Sequence, residues 1–159
     1  MGEMATSMGF FQRLLSPVSA EARLLEELSV LAGRNEGLVE RLKRHAALCK
    51  YPNIKAGVAA LAEKEAAHVK TINAILADHN VWAKLPEPAL HDGSNNWARL
   101  SGDLEVLGEL MAELRLAAVK WEPVNDEISR KLLQLAVEDG ERESDLRKLA
   151  LKCDAMALD

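Results

Sequence analysis

Residues 54–75 read IKAGVAALAEKEAAHVKTINAI. Ile54, Val58, Leu61, Glu65, His68, Ile72 and Ile75 recur at spacings of four and three, with Ala62 and Val69 beside them. That period describes one face of a long helix turned toward a core. Two members of the stripe are not apolar. Glu65 and His68, one turn apart, project from the face that should be buried, where an unpaired charge is expensive. Tyr51-Pro52-Asn53 starts this helix and Asp78-His79-Asn80 ends it.

The same spacing recurs three more times. Leu24, Leu28, Leu31, Asn35, Leu38, Leu42, His45 and Cys49 mark a preceding helix, with Ser19 as its cap and Glu21 in its first turn. Trp97, Leu100, Leu104, Leu107, Met111, Leu114, Ala118 and Trp121 mark a third, capped by Asn95 or Asn96. Glu122-Pro123-Val124-Asn125 turns into a fourth, with Ile128, Leu132, Leu135, Asp139, Arg142, Leu146 and Leu149 inward. The expected fold is all-α: two helical hairpins forming one four-helix bundle over residues 18–159.

The link between the hairpins carries Pro86, Pro88 and Gly93. Neighbouring antiparallel helices need only about 2–8 connecting residues, whereas this link has roughly sixteen, enough to span ~50 Å at ~3.3 Å per residue. A helix of about 27 residues is about 40 Å long. The link can therefore climb the whole bundle as a single long crossover.

Composition narrows the function classes. The chain of 159 residues is 48% apolar but only 4% aromatic, which suits Leu- and Ala-packed helices in one domain. A net charge of −5, with Lys and Arg interleaved among acids, excludes the concentrated basic face of a nucleic-acid binder. The two cysteines, Cys49 and Cys153, form no CxxC pair and read as small buried hydrophobes in a reducing cytoplasm. No run is apolar and long enough to span a bilayer, and Gly9-Phe10-Phe11 is cut off by Gln12-Arg13 before it can form a signal peptide. Residues 1–17 read as a flexible tail holding a short amphipathic piece. Its Phe10, Phe11, Leu14 and Leu15 are candidates for tucking onto the bundle, for self-association, for docking on a partner or for lying on a membrane surface.

A shift of 74 positions overlays the second and fourth helices: Ile54 on Ile128, Val58 on Leu132, Leu61 on Leu135, Ala62 on Ala136, Ile72 on Leu146 and Ile75 on Leu149. The turns match as well, Tyr51-Pro52 against Pro123-Val124, as in a duplicated hairpin.

Glu-x-x-His on an inward stripe of a four-helix protein is the pattern from which carboxylate-bridged di-iron sites are built, the carboxylate supplying hard oxygens and the imidazole a neutral nitrogen. The stretch Tyr51 to His68 resembles the second helix of rubrerythrin and bacterioferritin, in the turn Tyr51-Pro52-Asn53-Ile54 and in its spacing from Glu65. The chain length is similar to that of bacterioferritin. The resemblance implies a ferritin-like bundle and iron at Glu65 and His68; self-association as a homodimer is a separate expectation.

Such a site also takes a carboxylate from the first and third helices and a second Glu-x-x-His from the fourth. Here the first helix is expected to face Glu65 near Ala32, and Ser29 to Asn35 holds no acid; Glu27 and Glu36 lie off register. On the third helix Glu105, Glu109 and Glu113 turn toward solvent when Leu104, Leu107 and Met111 point inward. On the fourth, the 74-residue shift puts Asp139 at Glu65 and Arg142 at His68; moving by one to Glu138 and Glu141 leaves the apolar stripe. The second histidine is missing. A guanidinium at that position pairs with Glu65 and Asp139 and repels a divalent cation. The expected outcome is an internal polar cluster of Glu65, His68, Asp139 and Arg142, with Asn35 bonding His68, and no resident cofactor.

Of the remaining candidates, His45 reads as a satisfied core histidine, His79 and His91 as exposed, and Trp82, Trp97 and Trp121 as packing anchors at the bundle ends. Two functions stay open: a structural or protein-interaction protein that has lost its di-iron site, and a non-haem iron oxidoreductase or iron-binding protein using Glu65 and His68.

Overall fold

The computed structural model describes residues 19–85 and 93–153. Phe10, Phe11, Leu14, Leu15, Pro86, Pro88 and His91 lie outside them. Four helices, α1 (Ala20–Leu48), α2 (Pro52–Asp78), α3 (Asn96–Trp121) and α4 (Asp126–Ala150), form an all-α bundle. Among the described residues there is no strand, and no helix is long and apolar enough to cross a membrane.

Each helix begins where its chemistry dictates. The Ser19 side chain accepts from the Ala22 amide, Asn95 from Ala98 and Asn125 from Ile128. These caps satisfy amides that have no partner within the helix. α2 opens on Pro52, whose missing amide costs nothing in the first turn. α2 ends in a left-handed residue, Asn80 at φ 55°, which lets Val81 donate back to the Leu76 carbonyl at 3.0 Å.

The ion pairs establish direction. Glu27 meets Lys120 and Arg41 meets Asp103, so α1 and α3 are antiparallel. Glu65 meets Arg142 and Lys64 meets Asp145, so α2 and α4 are antiparallel. With α1 and α2 forming one hairpin and α3 and α4 the other, α2 and α3 run parallel across the diagonal. The link between them must travel the length of the bundle, as its reach allows. It starts along α1: the Lys84 amide donates to the Ser29 carbonyl at 3.0 Å, and a methyl on Gly33 would run into the Lys84 carbonyl oxygen. Glycine at 33 is what permits that close approach.

The stripes expected of α1 and α2 are buried without exception, and that of α4 is buried except for Leu149, which is partly covered. On α3 the phase differs. Leu100, Asp103, Leu107, Leu110, Leu114, Ala118 and Trp121 face inward, while Leu104 and Met111 are only partly buried. Trp97 is 42% exposed and Trp82 70%, so of the three tryptophans only Trp121 is a packing anchor. The spacings 100, 104, 107, 111 and 100, 103, 107, 110 both satisfy a 3.6-residue period. The second wins because Asp103 has partners waiting on α1.

Candidate functional site: a buried ion cluster

The 74-residue shift sets Glu65 of α2 against Asp139 of α4 and His68 against Arg142, and these polar residues meet between the two helices. Glu65, His68, Asp139 and Arg142 are each buried, between 0% and 6% exposed. One atom, Arg142 Nη1, lies 2.9 Å from Glu65 Oε1, 2.7 Å from His68 Nδ1 and 3.0 Å from Asp139 Oδ1. His68 Nδ1 is in turn 2.9 Å from Asp139 Oδ1. The Glu65–Arg142 pair and the His68–Asp139 pair are equivalent under the shift, so the cluster straddles a local two-fold relation.

Its hydrogen bonding is incomplete. Nη1 carries two N–H groups and has three acceptors in range, so it cannot serve all three at full strength. His68 Nε2 sits 2.8 Å from Glu138 Oε2, a contact that requires the proton on Nε2. Neutral His68 therefore accepts from Arg142 through Nδ1. Protonated His68 donates from Nδ1 to Asp139 instead. Glu65 Oε2 and Asp139 Oδ2 are both buried and have no partner among the described residues. Burial and the nearby Asp139 charge push the Glu65 carboxyl up to about 7, outweighing the opposing Arg142. Burial opposes protonation of His68, but its bonds to Asp139 and Glu138 prevail and raise its pKa.

Glu65, His68 and Asp139 offer ligand atoms within 4.8 Å of one another, close enough to share a divalent ion. The space among them holds the Arg142 guanidinium, a permanent cation. Carboxylates from the other two helices do not reach it. Ala32 and Leu110 are buried at 0% on the inner faces of α1 and α3. Glu27, Glu36, Glu105 and Glu109 are exposed, and Glu113 pairs with Arg34 at the surface. As arranged, these residues do not fit a di-metal centre.

Two expectations need correction. Asn35 does not reach His68: its Nδ2 donates to the Leu31 carbonyl at 2.8 Å, and its Oδ1 is buried without a partner. An asparagine inside a helix finds the carbonyl one turn back more readily than a side chain across the core. His79 is half-buried rather than exposed, with Nδ1 2.9 Å from the Ile75 carbonyl, Nε2 3.2 Å from Glu21 and its ring beside Trp121.

A second buried cluster was not anticipated. Asp103 on α3, 0% exposed, takes His45 Nδ1 at 2.5 Å on Oδ2 and Arg41 Nε at 3.0 Å on Oδ1. The signal was the inward His45 itself. A buried imidazole needs a partner, and Asp103 is the acid on the alternative α3 stripe.

No protein-family model matches this chain, and no curated protein matches it in sequence.

Proposed function

We propose that this chain is a ferritin-like bundle whose metal site has been converted into an internal ion cluster, leaving a structural or protein-interaction protein, homodimeric or an accessory subunit, in a reducing cytoplasm. The observation that carries this is Arg142, whose Nη1 lies within 3.0 Å of all three candidate ligands. Its position corresponds to a second histidine under the 74-residue shift. The outer faces of α3 and α4 support an interaction role: Leu116, Val119, Leu133 and Val137 are between 50% and 65% exposed. Exposed apolar side chains are the material from which association surfaces are built.

A second reading is a residual divalent ion, iron included, on Glu65, His68 and Asp139. The unpartnered Glu65 Oε2 and Asp139 Oδ2 favour it, since an ion would satisfy both.

Elemental analysis separates the two, on protein purified without chelator and again after aerobic Fe(II) addition. No metal, with an intact helical spectrum, is the expected result. About one ion per chain would establish the second reading. Two irons per chain would overturn both and point to a rubrerythrin-like oxidoreductase. R142H sharpens the test: with the guanidinium gone and a second histidine present, Co(II) binding should appear where the parent chain shows none.

A further inference from the structure

Outside the cluster, between α2 and α4, lies an open groove of about 540 Å³, within the size range of small-molecule sites. Its floor is formed by His68, Leu135 and Arg142, and Ala67 and Thr71 form part of one wall. The polar part of the floor already holds a carboxylate supplied by the chain. Glu138 Oε2 sits 2.8 Å from His68 Nε2 and 3.5 Å from Arg142 Nη2. That second contact is long, and among the described residues it is the only one made by Nη2, which carries two N–H groups. Glu138 is only partly buried. Its side chain is 40% exposed, and among the described residues its other oxygen meets only Gln134 Nε2, at 2.9 Å. The floor thus presents a buried guanidinium edge and an imidazole N–H to a carboxylate that reaches the first only weakly. A free carboxylate is not constrained by a helix backbone and can approach Nη2 more closely. The adjoining Leu135, Ala67 and Thr71 methyl offer apolar contact for whatever is attached to it.

We propose that this groove binds a small organic carboxylate with an apolar body, the ligand's carboxylate replacing Glu138 against His68 Nε2 and Arg142 Nη2. The site goes beyond the interaction role and does not depend on it, since neither protein partners nor the exposed Leu116, Val119, Leu133 and Val137 take part.

Calorimetric titration of the full chain with hexanoate tests this, with hexanol as the uncharged control and inorganic phosphate as the charged control without an apolar body. Saturable millimolar binding of hexanoate alone is expected. E138Q removes the competing internal charge and should tighten binding about tenfold. A67W fills the groove from an exposed helix position and should abolish binding, while the helical spectrum and melting temperature stay unchanged. Equal binding of hexanol, no saturable binding by either the parent chain or E138Q, or full binding by A67W would each overturn the proposal.

Discussion

Between α1 and α3, Asp103 receives His45 on one carboxylate oxygen and Arg41 on the other. Between α2 and α4, Glu65 and Asp139 share a single guanidinium nitrogen, and each keeps an oxygen with no partner among the described residues. The first arrangement is one acid met by two donors. The second places two acids, a histidine and an arginine in a space where the hydrogen bonds do not close. Burying charge is tolerable when every lone pair is answered and costly otherwise. The α1–α3 cluster therefore reads as a finished structural contact. The α2–α4 cluster gathers residues of metal-ligand type around a guanidinium that occupies the space among them.

The largest effect should come from R142L. Removing the cation leaves His68 as the one group able to balance Glu65 and Asp139 within the cluster, a loss of about 3–5 kcal/mol for a broken buried pair. Urea unfolding measures it directly; a loss below about 1 kcal/mol, the surface-pair range, would mean that the cluster is already neutralised by protons.

Next in size is a pH dependence confined to the α2–α4 cluster. Glu65 has its carboxyl raised from 4.5 to about 7 in the folded chain. Between those values the folded state holds a proton that the unfolded state has released, so stability falls as pH rises, by about 3 kcal/mol at roughly 1.4 kcal/mol per unit. His68, also raised, extends the decline above its ordinary 6.5. Glu138 is lowered, chiefly by its Gln134 and His68 bonds, and acts the opposite way. It is half-exposed, so its contribution is small. Denaturation between pH 5 and pH 8 should show the decline, and E65Q should flatten most of it. A parent profile as flat as E65Q would remove the distinction between the clusters.

D103N tests the other side. It keeps the shape but turns one acceptor oxygen into a donor facing His45 or Arg41, for an expected loss of about 1–3 kcal/mol. A loss equal to that of R142L would show that the two clusters hold charge in the same way. The smallest effect belongs to R34A at the surface. Arg34 meets Glu109 at 2.9 Å and also Glu113, but all three side chains are more than a third exposed, so a change below about 1 kcal/mol is expected in thermal melts.

The contrast also explains what the sequence disclosed. α1, α2 and α4 were legible because their stripes include groups, such as His45, Glu65 and Arg142, that mark the inward face unmistakably once the apolar period is set. The meeting of Arg142 with Glu65, His68 and Asp139 was legible because the 74-residue shift is a statement about register, and register survives folding. α3 was misphased because Leu104 and Met111 outrank Asp103 and Leu110 only if an acid is assumed to face solvent. That assumption fails when His45 and Arg41 wait across the interface. The partner of Asn35 was misassigned because hydrogen bonding inside a helix depends on a carbonyl that every helix offers and no sequence pattern advertises. The exposure of Trp97 follows from the same phase error.

The position of the ion cluster also has a kinetic consequence. Each hairpin is local, its helices separated by a turn of a few residues, whereas Glu65 and Arg142 are 77 positions apart and come from different hairpins. Local contacts form first and distant ones wait for loop closure. The charges should therefore lose their water only when the two preformed hairpins dock. Changes at Arg142 then time that docking: an effect confined to the unfolding arm of a chevron plot places it after the barrier, and a slowed folding arm places it at the barrier.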